Sequence, residues 1–299
     1  MRQGSTSRPG PAGHSRGLRS SYARRFLGAA AGAIVVAGAW LTCVYWPLGQ
    51  VVDEVAMRFL GGLNDQMRGV DRVILSAVSV PMIVALMVIA GLVAAARRRP
   101  MLGVRALLII GLSMGTTQLL KHYVLVRPAY DFVYAVSNSL PSGHVTAAAT
   151  AAVALTIVVP WRMRSIFSWL GAIWTALMGF AVVLNQWHRP ADVVAAIGVV
   201  AFFALLLAPL ERGESPRVGG PALRATVLVV TALAVVAVVV AFVAVWVTLH
   251  HGGWVNVGTA ITAMSARGSI VGALASISGV AAILAVALAT MTGVDRLRL

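Results

Sequence analysis

Eight stretches of this chain, at about 27–46, 73–96, 102–121, 143–160, 166–186, 190–210, 225–248 and 269–292, are long, apolar and nearly free of charge. A helix of about 20 such residues crosses roughly 30 Å of hydrocarbon, with every backbone N–H and C=O bonded inside the segment. A soluble domain would have to bury all eight at once. With 59% hydrophobic and only 11% charged residues, the chain is expected to be all-α, a polytopic membrane helix bundle.

The net charge of +15 invites a nucleic-acid reading, but its distribution argues for orientation in a membrane instead. With the N-terminus placed in the cytoplasm, only Arg58, Arg68, Arg72, Lys121, Arg127, Arg189 and Arg267 fall outside. The remaining basic residues cluster inside, the bias that sets the topology of membrane proteins. Membrane lipids are therefore the expected partners of the basic arm, and nucleic acid is not. The expected location is the plasma membrane, multi-pass, with both termini cytoplasmic. The lone Cys43 excludes an intramolecular disulfide.

Residues 1–25, rich in Ser, Gly, Pro and Arg, are expected to form a disordered basic cytoplasmic tail. The run behind Arg24-Arg25 reads as a retained anchor, since no convincing small-residue cleavage site precedes Tyr45-Trp46-Pro47. Residues 26–211 would form a six-span core. Within it, Val52, Val55, Phe59, Leu60, Leu63 and Met67 recur at helical spacing, which predicts an amphipathic helix at about 51–70 on the outer interface. Residues 212–299 would form a cytoplasmic linker and an additional two-span hairpin. The role of that hairpin is not legible, and it leaves room for a homo-oligomer. His250 and His251 read as a solvated loop, because no third metal ligand lies near them.

The polar residues that remain gather at span ends on one expected side. Pro141-Ser142-Gly143-His144 opens a helical run, and a helix start offers free N–H groups and positive dipole to an anion. Gly143 lets backbone approach a phosphate, and Ser142 adds a hydroxyl donor. Lys121 and Arg127, an ammonium and a forked guanidinium, suit a dianionic phosphate. In His188-Arg189-Pro190-Ala191-Asp192, His188 and Asp192 stand four apart across a helix start and can share a face. A carboxylate on one imidazole nitrogen leaves the other basic enough to attack phosphorus. His144 at the same boundary can protonate a departing alkoxide.

This pattern resembles the type 2 phosphatidic acid phosphatase family, the integral-membrane branch of the acid phosphatase/vanadium haloperoxidase superfamily. The family carries Lys-x6-Arg-Pro, Pro-Ser-Gly-His and Ser-Arg-x5-His-x3-Asp, in this order on a six-span core. The resemblance covers roughly residues 27–210 and leaves two C-terminal spans outside. It implies that Lys121, Arg127, Ser142 and Gly143 bind phosphate. His144 would be the general acid, His188 the nucleophile that forms a phosphohistidine, and Asp192 its orienting partner. It implies neither metal nor cofactor. The substrate would be a lipid phosphate monoester or pyrophosphate, isoprenoid or glycerolipid, hydrolysed at the outer membrane face; polyprenyl phosphate is preferred.

Two departures stand out. Lys121 and Arg127 have five residues between them, which on a continuous helix turns one side chain by about 100° relative to the family's spacing. The third motif's Ser-Arg is replaced by Ala181-Val182, so one guanidinium is missing, and Arg189 beside the nucleophile is expected to substitute. Two alternatives follow from the same residues. One is a lipid-linked phosphotransferase, in which a hydroxyl rather than water captures the phosphohistidine. The other is a non-catalytic lipid-binding homologue.

Overall fold

Proline opens several of the helices, Pro47, Pro100 and Pro190 each standing in a first turn, where its missing N–H costs nothing and its φ is already helical. In the computed structural model, which describes residues 11–64, 80–130, 137–209 and 221–296, the chain forms ten α-helices and two π-helical turns. They are α1 (Pro11–Ala39) with a π turn at Trp40–Tyr45, α2 (Pro47–Gly61), α3 (Val80–Ala96), and α4 (Pro100–Leu119) with a π turn at Leu120–Val124. There follow α5 (Gly143–Val158), α6 (Trp161–Leu184), α7 (Pro190–Leu207), α8 (Pro221–His251), α9 (Val257–Met264) and α10 (Ile270–Asp295). Among the described residues there is no strand. The fold is a polytopic helical bundle.

Among the described residues six helices are long and apolar enough to cross a membrane: Tyr22–Tyr45, Pro100–Val124, Trp161–Leu184, Pro190–Leu207, Arg224–His251 and Ile270–Asp295. The described parts Val84–Ala96 and Gly143–Val158 are apolar but shorter. Together these segments fall on the eight expected stretches. At 1.5 Å per residue, α5 is about 24 Å long, less than the hydrocarbon thickness of about 30 Å. Its first turn accordingly starts inside the end of the bundle, with Ser142 fully buried.

Close approach of small residues builds the frame. α5 is alanine- and threonine-rich and buried along nearly its whole length, which lets α4, α6 and α7 pack tightly around it. Its threonines satisfy their hydroxyls on the preceding turn, Thr146 to Ser142 O at 2.8 Å, Thr150 to Thr146 O at 2.9 Å and Thr156 to Ala152 O at 2.8 Å. α1 crosses α7 where Gly32 meets Gly198; a Cβ on Gly32 would stand 2.8 Å from the Gly198 carbonyl oxygen.

The two ends of the bundle differ chemically. At one end, arginines donate to the last carbonyls of α5 and α7, where the helix dipole is negative. Arg97 reaches Val158 O at 2.6 Å and Val159 O at 2.9 Å, Arg164 reaches Ile157 O at 2.9 Å, Arg105 reaches Leu207 O at 2.9 Å, and Arg25 reaches Ala208 O. At the other end stand aromatic residues such as Trp40, Tyr45, Trp46, Tyr123, Tyr130 and Trp187, the type enriched where a membrane meets water. Trp40 donates to Val126 O at 3.0 Å and Tyr130 to Tyr45 O at 2.8 Å, tying the loop after α4 to the end of α1.

Helix α1 begins at Pro11, within the stretch expected to be a disordered tail through residue 25, and residues 1–10 lie outside the described residues. The outer amphipathic helix expected at about 51–70 is α2, which runs from Pro47 to Gly61, while residues 65–79 lie outside the described residues. It does not turn its polar residues outward: Gln50, Asp53 and Glu54 are buried, each with a partner inside.

The C-terminal hairpin is not an appendage either. α10 packs against α2, α6, α7 and α8, and Val51, Val52, Val55 and Ala56 of α2 share an apolar cluster with residues of α8, α9 and α10. Ser276 donates to Ala56 O at 3.2 Å, Arg267 donates to Gly62 O at 2.9 and 3.1 Å, and Gly279 lies against the ring of Pro190, 2.8 Å from where a Cβ would stand.

That last contact is a point of failure. Gly279→Val should force α10 away from Pro190, at a cost of about 1–3 kcal/mol for overpacking, and lower the thermal unfolding midpoint in detergent. Gly111, with nothing within 4 Å of an added Cβ, should accept alanine without loss.

Candidate active site

The end of α6 determines where His188 sits. Helix α6 stops at Leu184, Gln186 takes a left-handed conformation with φ of 58°, and the chain folds back so that Trp187 N and His188 N both donate to Val182 O, at 3.0 and 3.3 Å. His188 emerges from this turn with Nδ1 3.2 Å from Asp192 Oδ2. The same oxygen accepts the Arg189 backbone N–H at 3.0 Å, so Asp192 caps its own helix while it holds the imidazole. Both side chains are buried, Asp192 completely. An ionised carboxylate can only accept, so Nδ1 is the donor of this pair and Nε2 is the ring nitrogen left without a partner in it.

The Pro141–His144 turn is joined to this pair through backbone. Ser142 N donates to Asp192 O at 3.0 Å, and Ser142 caps α5 with its side chain accepting from Val145 N. Asn138 braces the approach, donating to Leu140 O at 2.8 Å and to Lys121 O at 3.3 Å. Space beside Gly143 is open, the nearest atom to an added Cβ being Gln118 Nε2 at 3.8 Å. His144 is exposed, with its ring 5.5 Å from that of Trp187, and lies within Coulombic range of both His188 and Lys121.

Lys121 stands in the π turn Leu120–Val124, after which the chain is extended from Leu125 onward. The segment between Lys121 and Arg127 is therefore not one continuous α-helix, and the rotation expected from its shortened spacing does not arise. Trp40 and Gln50 anchor this extended piece at Val126 O and Pro128 O, at 3.0 and 3.1 Å. They aim Arg127 inward, where it is only 5% exposed. None of its three guanidinium nitrogens has a hydrogen-bond partner among the described residues. Burial, and then the charge of Arg189, lower its pKa against the pull of Asp192, Asp53 and Glu54, yet a guanidinium stays protonated.

Arg189 is also buried, but it is partnered. Its Nε and Nη2 lie 2.8 and 2.7 Å from Glu54 Oε2 of α2. Burial works to lower its pKa, and the carboxylates of Glu54, Asp192 and Asp53 outweigh that and raise it. The positions of the family's missing Ser-Arg, Ala181 and Val182, are fully buried, with Val182 in an apolar cluster with Val145, Met178 and Val193. The structure thus brings His188, Asp192, Arg189, Ser142, Gly143, His144, Lys121 and Arg127 to one end of the bundle. Elsewhere, His250 and His251 are exposed. Among the described residues no three His, Cys, Asp or Glu side chains gather to hold a metal ion.

Two residues escaped the sequence reading. Asp53 and Glu54 were only polar residues between the apolar positions of an outer helix; in the structure they are the site's inner wall. Asp53 Oδ1 accepts the Ala191 N–H at 3.0 Å, and its other oxygen has no partner among the described residues. One available signal was that they form the only adjacent acidic pair in the chain.

Asp53 also carries a pH signature. Burial, and then the charge of Asp192, push its carboxyl up from 3.8 to about 7, despite the Ala191 bond and the charges of Arg189 and Arg127. The folded state therefore keeps a proton that the unfolded chain has already lost, and the stability this group contributes falls as pH rises from about 4 to about 7. Asp53→Asn keeps an acceptor for Ala191 and removes the slope. Its unfolding midpoint relative to wild type should be higher at pH 8 than at pH 5; an offset independent of pH would contradict the assignment.

Comparison with known proteins agrees with this geometry. The family model described as the PAP2 superfamily matches residues 102–215, the stretch that carries Lys121, Arg127, the Pro141–His144 turn, His188 and Asp192. No curated protein and no solved structure matches the chain. The superfamily consists in general of phosphatases, and the match over residues 102–215 supports membership in it.

Proposed function

We propose that this protein is a membrane lipid phosphatase, working through a phosphohistidine without a metal ion. The observation that carries this reading is the buried Arg127 guanidinium, unpartnered among the described residues and within Coulombic range of Asp192, the carboxylate that holds His188 by Nδ1. A buried cation with no counter-group is costly unless an anion completes it. A phosphate, presenting several acceptor oxygens to a forked donor, is a good match.

In this reading the phosphate is held by Lys121, Arg127 and Arg189, together with the Ser142–Gly143 helix start. The His188 Nε2 lone pair forms the new bond to phosphorus as the ester bond to the leaving oxygen breaks, and His144 gives that oxygen its proton. Asp192 stabilises the charge that develops on the ring. Water then attacks the phosphohistidine, His144 takes the water's proton, and phosphate leaves with His188 restored. The cations stabilise charge spread over the phosphoryl oxygens in both steps.

A lipid substrate is favoured by where the site lies, at the aromatic end of a bundle of membrane-crossing helices. Its headgroup would enter from the interface while its chains stay in the bilayer. The arginine-capped end suits the cytoplasmic side by the positive-inside bias, which supports a site on the extracytoplasmic face of the plasma membrane. A polyprenyl phosphate or pyrophosphate is the preferred substrate within the isoprenoid and glycerolipid classes.

Purified protein in detergent, with EDTA throughout, should release inorganic phosphate from polyprenyl phosphate or phosphatidic acid. His188→Ala should abolish release. Arg127→Ala should lower kcat/KM about 10²–10³-fold, as for loss of a transition-state donor. Hydrolysis that survives His188→Ala, or that stops with EDTA, would overturn the mechanism.

A further inference from the structure

Glu54 is a buried carboxylate that the reaction scheme does not use. It accepts from two arginines: Arg58 Nε at 2.7 Å on Oε1, and Arg189 on Oε2 through Nε at 2.8 Å and Nη2 at 2.7 Å. Arg58 lies one turn on in the same helix and is partly exposed. Arg189 follows directly on His188 and is 4% exposed. Next to Glu54, Asp53 accepts the Ala191 N–H at 3.0 Å. Consecutive acidic residues of α2 therefore grip a side chain and a backbone group of the segment that presents His188. Behind them, α2 is held by α9 and α10 through Ser276, Arg267 and a shared apolar cluster.

The charges explain why such a grip is needed. Arg127 and Arg189 lie within Coulombic range of each other, and both are buried. Two guanidinium groups near each other in a low-dielectric site repel unless a carboxylate compensates their charge. Glu54 is such a carboxylate, and it grips the Nε and Nη2 side of Arg189, so the direction of that guanidinium is determined by α2.

We infer that Glu54 is a positioning residue of the active site: it holds Arg189, and through Arg189 the orientation of the phosphate-binding cations beside His188. This rests on the phosphatase reading above. It assigns a task to α2 and, behind it, to the C-terminal helices, which brace the site from outside the stretch that carries its motifs.

A double-mutant cycle on the purified full-length protein tests it, with kcat/KM on polyprenyl phosphate as readout and thermal unfolding as a fold check. Glu54→Gln should lower kcat/KM about 10- to 100-fold when Arg189 is present, the range for a misplaced binding group, with Glu54→Asp recovering part of the loss. In an Arg189→Gln background, Glu54→Gln should cause no further loss beyond about twofold, because the group it positions is gone. Arg58→Gln should stay within about twofold of wild type. A merely structural Glu54 would give multiplicative losses in the double variant, and that result, or a large loss in Arg58→Gln, would overturn the inference. Absence of turnover in the wild type would sink the phosphatase reading alone. The same cycle read as inorganic phosphate affinity by calorimetry would then decide the positioning role: coupling between positions 54 and 189 supports it, and independent effects refute it.

Discussion

Burying charge at the end of a membrane bundle is the constraint to which the rest of this structure answers. Arg127, His188, Arg189, Asp192, Asp53 and Glu54 all lie out of solvent at one place. Each isolated charge there would be expensive, and the cost falls only when opposite charges and hydrogen bonds meet it at good geometry. Asp192 does so for His188 and for the start of α7, Glu54 does so for Arg189, and Asp53 takes the N–H of Ala191. Arg127 is left over among the described residues. Donors held in this way by counter-charges are the condition under which, in the proposed reaction, a charged transition state would be lowered most.

The scaffold that permits this is made from small side chains. Alanines and threonines along α5 and glycines at the α1–α7 crossing bring the helices close. The hydroxyls of Thr146, Thr150 and Thr156 in α5 are taken up by the carbonyl one turn back. At the opposite end, arginine side chains cap α5 and α7. The two helices that start at the site are thus anchored at their far ends by charge matched to their dipoles. One arrangement serves both orientation in the bilayer and rigidity of the pocket.

Much of this was legible in the chain itself. Apolar run length announced the bundle, and the Pro-Ser-Gly-His turn and the His-x3-Asp pair announced a capped helix start and an imidazole–carboxylate pair. Those are local signals: a proline at a first turn, a hydroxyl cap, and two side chains one turn apart depend on neighbours within a few residues. Other features were not legible for an equally physical reason. Whether Lys121 and Arg127 lie on one helix depends on a π turn and on anchors at Trp40 and Gln50, far away in sequence. The polar residues of α2 looked solvent-facing because their apolar neighbours recur at helical spacing. Their partners, Arg189 and Ala191, are more than 130 residues away. The C-terminal spans carried no motif at all, and their packing behind α2 is made of shape: a glycine against a proline ring, and a serine on a carbonyl.

By itself, then, the sequence determined that this chain is a bundle of membrane-length apolar helices and which groups could meet a phosphate, because hydrophobic length, capping and i,i+4 pairing are short-range physics. Tertiary packing alone decided that Asp53 and Glu54 turn inward, that Arg189 is held by Glu54 while Arg127 is left without a partner among the described residues, and that the last helices brace the site. Those outcomes depend on which buried charge finds which counter-charge, and only the folded bundle brings residues so distant along the chain within a few ångströms of one another.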